Sequence, residues 1–147
     1  MIPTLNLRNV RHKDLTRILE IEQQFYADAF TIDIFEEYME YAVFRVLEAD
    51  GVIAGYVIAI YTTEDKYNIE SIAVAPEFQG KQYSVYMVEV LENIIKRENA
   101  KAITLEVSET NVKARQLYEK LGYMYTGIKK EQFYQDGGTA LLMEKVF

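Results

Sequence analysis

The sequence predicts a mixed α/β (α+β) fold, a mixed sheet covered by helices, in a single domain spanning residues 1–147. Three observations predict it. The chain has 147 residues, half of them hydrophobic, which suits one domain with one core. The hydrophobic period switches repeatedly between two residues and 3.6, giving the order β-α-α-β-β-β-α-β-α-β-β. No repeat, low-complexity tract or linker interrupts that order.

Each element has its own signal. Leu5 to Val10 alternates apolar and polar, as a strand with one buried face does. From Asp14 the period becomes helical, with Leu15, Ile18, Leu19, Phe25 and Tyr26 on or near one stripe. Thr31 is placed to cap a second helix running to about Tyr41, with Phe35, Tyr38 and Met39 inward. Val43 to Ala49 and Val52 to Tyr61 read as strands joined by an Asp50-Gly51 hairpin turn. Tyr67 to Val74 is a further strand, closed by Pro76. A helix from about Ser84 to Asn99 carries Met87, Val90, Leu91, Ile94 and Ile95 on one face. Ala102 to Val107 is a strand, and Asn111 offers the next N-cap. Ala114, Leu117, Tyr118 and Leu121 form the face of that helix, which ends at Gly122, a C′ glycine. Strands Tyr123 to Lys130 and Ala140 to Val146 close the chain, joined through Asp136-Gly137-Gly138.

Composition narrows the chemistry. The absence of cysteine removes disulfides, thiolate metal sites and a cysteine nucleophile together. One histidine, His12, leaves no histidine zinc site and makes a Ser-His-Asp triad improbable, so no metal is expected. No apolar run is long enough for a membrane helix, and the N-terminus lacks a secretion signal, so a cytoplasmic location is expected. The net charge is −7, but residues 14–50 hold ten acids against two bases. That stretch reads as solvated helix faces or as an acidic rim that attracts a cationic substrate such as an amine. Nucleic acid is not an expected partner, since phosphate binding needs clustered Lys and Arg.

The segment from Ile72 to Ser84 passes from a strand into a helix N-terminus. Such a junction presents unpaired N–H groups and the positive end of a helix dipole, which suits a pyrophosphate; an ordinary strand-to-helix loop reads equally well. Gly80 allows close backbone approach, Lys81 adds charge and Ser84 could cap the helix. Val74-x-Pro76-x-x-Gln79 followed by Gly80-Lys81-Gln82-Tyr83-Ser84 resembles the acetyl-CoA signature of the GNAT N-acetyltransferases. The resemblance implies the GNAT fold, with about six to seven mostly antiparallel strands and about four helices. It also implies acetyl-CoA as cosubstrate, held by Ile72, Ala73, Val74, Gln79, Gly80, Lys81, Gln82, Tyr83 and Ser84. Gln82 stands where the family has glycine. A β-carbon there would crowd the pyrophosphate, or cost about 1–2 kcal/mol if the position needs an unusual φ/ψ.

A second block runs from Leu105-Glu106-Val107 through Asn111, Ala114 and Leu117-Tyr118 to Gly122-Tyr123. Its landmarks resemble the RimI-type branch, the ribosomal-protein-alanine and protein N-terminal acetyltransferases. Ile21-Glu22, Phe25, Ala29-Phe30-Thr31 and Phe133-Tyr134 before Asp136-Gly137 fit the same branch. On the residues alone, Glu106 reads as a solvated strand residue and Tyr118 as a packed aromatic. The resemblance instead gives Glu106 the role of general base, acting through water, and Tyr118 that of general acid toward the departing thiolate. It also implies that Asn111 contacts the pantetheine arm, with helix capping as the alternative or a second duty. Phe30, Phe133 and Tyr134 flank the acceptor site in relatives, where aromatic residues can clamp a peptide backbone; ordinary loop packing is the other reading. The expected acceptor is a protein N-terminal α-amine, with a ribosomal protein as one candidate. A small amine or polyamine is the alternative substrate, and a degenerate CoA-binding module that has lost turnover is the non-enzyme alternative. A monomer or weak homodimer is expected.

Overall fold

The computed structural model describes residues 2–26 and 30–147. Asp28 of the acidic stretch and Ala29 of the Ala-Phe-Thr landmark lie outside the described residues. The elements are β1 (Leu5–Asn9), α1 (Leu15–Gln23), α2 (Ile32–Tyr41), β2 (Val43–Ala49), β3 (Val52–Tyr61), β4 (Lys66–Val74), α3 (Tyr83–Arg97), β5 (Ala102–Ser108), α4 (Val112–Lys120), β6 (Met124–Lys130) and β7 (Ala140–Val146). The strands form one sheet in the order β1-β2-β3-β4-β5-β7-β6. Only β4 with β5 is parallel among the pairings described, so the sheet is mixed and mostly antiparallel. Packing divides the chain into two units. One is Met1–Ile60 with Glu70–Ile94, and the other is Tyr61–Ile69 with Ile95–Phe147.

In the first unit the hairpin forms as expected. Asp50 and Gly51 both have positive φ, 50° and 81°, the pattern of a two-residue turn that matches strand twist. Residues 54–59 of β3 are all buried, because the strand is covered on both faces. Gly55 is required there. A β-carbon at this position would lie 2.5 Å from the Ala73 carbonyl oxygen and 3.2 Å from the Met87 methyl. α2 begins at its expected cap, the Thr31 hydroxyl accepting from the Ile34 N–H. Phe35 of α2 is fully buried and meets Tyr56 of β3 edge-on, with ring centroids 6.3 Å apart.

Three expectations need correction here. α1 stops at Gln23, so Phe25 and Tyr26 leave its stripe and are exposed; Leu15, Ile18 and Ile21 carry the buried face. The acidic Glu22 is buried beside them, a place no apolar stripe announces. In α3 the fully buried residues are Met87, Val88, Leu91 and Ile95, while Val90 and Ile94 are half-buried, so the face is rotated toward Val88. Asp14 is also buried. It accepts from both terminal guanidinium nitrogens of Arg8, at 2.8 and 3.0 Å, and from the Arg11 N–H at 2.7 Å.

In the second unit, β4 runs parallel to β5 from Lys66↔Ala102 to Ile69↔Leu105. β5 continues antiparallel to β7 along its whole length. α4 ends at the expected glycine. Gly122 has φ +98°, its N–H donates to the Glu119 carbonyl, and the Tyr123 N–H donates to that of Tyr118. This is the Schellman arrangement, and its usual apolar contact is the Tyr118–Tyr123 ring pair, 5.6 Å apart and steeply inclined.

Candidate functional site

In the first unit, the turn after β4 is built from backbone. Pro76–Phe78 forms one 3₁₀ turn, and the Gln79 side-chain amide donates back to the Val74 carbonyl at 3.3 Å. Gly80 has φ +79°, and a β-carbon on it would meet nothing within 4 Å. Gln82 has φ +62°, so the position where the family signature has glycine does adopt the left-handed conformation. The first helical bond runs from the Tyr86 N–H to the Gln82 carbonyl, which makes Gln82 the cap position. Ser84 is the second residue of α3 and therefore does not cap it. Helix geometry leaves the N–H groups of Tyr83, Ser84 and Val85 without intrahelical acceptors, and they share the positive end of the dipole. The Tyr83 ring is buried and stacks on Phe78, with centroids 6.2 Å apart, so what this residue presents at the turn is backbone. Open space at Gly80, helix N–H groups without intrahelical acceptors and a neutral loop, Glu77 against Lys81, fit a pyrophosphate.

Upstream of the turn, β4 alternates between two environments. Ser71 belongs to a buried polar cluster. Tyr56 donates to the Glu22 carboxylate at 3.2 Å and Ser71 donates to it at 3.3 Å, while the two hydroxyls are 2.9 Å apart. The Phe30 N–H donates to the other Glu22 oxygen. Burial, reinforced by the Glu22 charge, pushes the Tyr56 phenol above its ordinary range. Phe30 is thus held by its backbone to a carboxylate anchored on β3 and β4. Its ring lies 5.6 Å from that of Tyr38, and the Tyr38 hydroxyl donates to Glu70 of β4 at 3.1 Å. Burial and then the Glu70 charge likewise raise the Tyr38 phenol, so it stays a donor. Ile72, two residues beyond Glu70, accepts from the Tyr26 hydroxyl through its carbonyl at 3.1 Å. Ala73 is buried.

In the second unit, Glu106 is mostly shielded, and each of its carboxylate oxygens has a partner. Lys130 Nζ lies 2.7 Å from Oε1, and the Asn68 amide donates to Oε2 at 3.4 Å. Asn68 is oriented in turn by Thr104, whose hydroxyl donates to its Oδ1 at 2.6 Å. Lys130 Nζ also lies 5.6 Å from the centroid of the Phe133 ring, and Phe133 meets Tyr134 edge-on at 4.9 Å. Both aromatic N–H groups converge on the Gly138 carbonyl, which fixes the loop. The structure therefore brings together Glu106, Lys130, Phe133 and Tyr134. Tyr118 is buried, its ring committed to Tyr123. Asn111 caps α4, its Oδ1 accepting from the Ala114 N–H at 3.1 Å.

The contacts of Tyr38 with Glu70 in the first unit, and of Lys130 and Asn68 with Glu106 in the second, are not expected from the sequence. Only Tyr38 carried a signal, because a tyrosine on the inward face of a helix must find a partner for its hydroxyl. Among the described residues, no helix is long and apolar enough to cross a membrane, and no group of three His, Cys, Asp or Glu could hold a metal.

Residues 10–123 match the model of the acetyltransferase (GNAT) family. The chain is 34% identical over 140 residues to a protein of Bacillus subtilis (strain 168) named a putative [ribosomal protein bS18]-alanine N-acetyltransferase. That match covers 93% of this chain and 92% of the relative. The crystal structure of the ribosomal-protein-S18-alanine N-acetyltransferase from Escherichia coli superimposes with a TM-score of 0.87 at 24% identity, covering 97% of this chain and 94% of that one. Ard1 from Thermoplasma volcanium gives 0.91 at 19% identity, covering 97% of each chain. A family match over most of the chain, joined to this fold and turn, makes the protein a member of the GNAT family of acetyl-CoA-dependent N-acetyltransferases.

Proposed function

We propose that the protein transfers acetyl from acetyl-CoA directly to the N-terminal α-amine of a protein. The observation that carries this reading is the cluster in which Lys130 ties the Glu106 carboxylate to the exposed Phe133 and its half-buried neighbour Tyr134. It holds an ordered carboxylate, which we read as the base, beside rings suited to lie along a peptide backbone. The names of the bS18-alanine relative and of an N-alpha-acetyltransferase of Sulfurisphaera tokodaii agree with it.

Acetyl-CoA, when bound, supplies the acetyl group already activated as a thioester. The chain's own residues do the rest. The N–H groups at the start of α3 and around Gly80 hold the pyrophosphate. Backbone N–H groups of Ile72 to Val74 polarise the carbonyl under attack. Glu106, through a water, takes the proton that the amine must lose. Tyr118 gives a proton to the departing sulfur. An α-amine has a pKa near 8, against about 10.4 for lysine, so a base acting through water is better matched to a terminus than to a lysine side chain.

The test is thiol release from acetyl-CoA over a panel of N-terminal peptides, peptides acetyl-blocked at the terminus but carrying lysine, and polyamines. Turnover is expected with free N-termini. Release confined to polyamines or to lysine would overturn the reading.

A further inference from the structure

We propose that Glu70, aimed by Tyr38, is the carboxylate that binds the acceptor's ammonium group; this inference rests on the N-terminal acetyltransferase reading. Glu70 shares a face of β4 with Ile72, and two residues of strand span about 7 Å. The N–H groups expected to polarise the thioester begin at Ile72, and an attacking amine sits about 3–3.5 Å from the carbonyl carbon. A glutamate side chain extending from position 70 reaches an amine placed there.

The Glu70 carboxylate is oriented by a neighbouring donor. The Tyr38 hydroxyl donates to Oε1 at 3.1 Å, and the Tyr38 residue is itself only 9% exposed, so the donor is fixed by packing. The raised Tyr38 phenol keeps its proton on oxygen and cannot compete as an anion. A carboxylate offers about four acceptor sites, so an ammonium can join beside the phenol. The Tyr38 ring packs against Tyr41 and against Phe30, whose N–H is pinned to the buried Glu22. The wall that would lie along the peptide and the carboxylate that would take its terminus are thus held by one continuous set of contacts. Glu70 in this role attracts the cation and sets its position, and takes no part in proton removal.

The experiment is steady-state kinetics on the full chain with a free N-terminal peptide and acetyl-CoA. Glu70→Gln is expected to raise the peptide KM at least tenfold and to leave the acetyl-CoA KM within twofold. Tyr38→Phe is expected to move the same parameter by about threefold, and Glu70→Asp to recover part of the loss. The wild-type peptide KM should rise between 50 and 500 mM NaCl, a dependence that Glu70→Gln abolishes and that a merely structural residue would not govern. Should Glu70→Gln fail to fold, Tyr38→Phe and the salt series decide alone. Retained peptide acetylation with an unchanged peptide KM in these variants, or a salt-independent wild-type KM, would overturn this inference and leave the functional reading intact. Absence of any peptide acetylation by the wild type would overturn that reading and this inference with it.

Discussion

Tyr118→Phe separates the packing seen at this ring from the proton donation proposed for its hydroxyl. Tyr118 is 8% exposed, its carbonyl closes the Schellman cap of α4, and its ring packs on Tyr123. Removing the whole side chain would create a cavity worth about 3–5 kcal/mol and would confuse folding with chemistry. Phenylalanine keeps the ring, the cap and the Tyr123 contact, and deletes one oxygen. The stability cost is then that of a single hydrogen bond, roughly 0.5–1.5 kcal/mol, or a drop in Tm of about 2–6 °C for a chain of this size. Loss of a general acid costs about 10²–10⁴ in rate when proton transfer limits turnover, and less when it does not. We therefore expect kcat to fall at least tenfold, which is about 1.4 kcal/mol of barrier. The acetyl-CoA dissociation constant should change by less than twofold. Thiol release gives kcat, calorimetric titration gives the affinity, and a thermal melt verifies the fold. Unchanged turnover in a folded variant would refute the assignment and leave Tyr118 a packing residue.

Two further substitutions test the frame around the site. Gln82 holds a left-handed φ of +62°, a conformation that costs a side-chain-bearing residue about 1–2 kcal/mol. Gln82→Gly relieves that cost, offset by about 0.5–1 kcal/mol of glycine entropy; titration of acetyl-CoA should show tighter binding than wild type with Tm little changed, and equal affinities would remove the argument. Asp14→Ala leaves Arg8 with Glu48 and the Asn9 carbonyl, each at 3.0 Å, and should cost about 3 kcal/mol by denaturant unfolding at neutral pH. The Arg8 guanidinium, helped by the Arg11 N–H, holds the Asp14 carboxyl below its usual range against the cost of burial. Its folded value is the lower one, so the stabilisation is present above about pH 4 and is lost as pH falls through that folded value. A wild-type melting curve in acid should show this loss, and Asp14→Asn should lack it.

Features set by near neighbours in the chain were legible in the sequence. Thr31 and Asn111 cap their helices, Asp50-Gly51 turns its hairpin and Gly122 ends α4, because each needs only residues within one turn. The family signature also pointed to Gln82, the side-chain-bearing residue with positive φ in the turn between β4 and α3. What was not legible depends on partners far away in sequence. Tyr56 and Glu22 are 34 residues apart, Tyr38 and Glu70 are 32 apart, and Lys130 lies 24 from Glu106. No local period announces such pairs. The end of α1 departs from its pattern for a related reason: Phe25 and Tyr26 fall near the helical stripe, but the hydroxyl of Tyr26 finds the Ile72 carbonyl instead of the core.

The strand β4 shows why register is the missing quantity. Its period of two assigns Ser71 to the buried cluster with Glu22 and Tyr56, and gives Glu70 and Ile72 the opposite direction. From sequence, Ile69-Glu70-Ser71-Ile72 contains one carboxylate and one hydroxyl, and nothing says which of them enters the interior. Once the Tyr56–Ser71 bond fixes the register, Glu70 is fixed with it, and so is its partner Tyr38. A slip of one residue would bury a carboxylate beside Glu22 and turn a serine toward Tyr38. Two carboxylates sharing one dry cluster repel strongly, so that alternative is destabilised by the same charge that anchors Phe30. Glu22 therefore does more than hold a loop: it selects the register that presents Glu70.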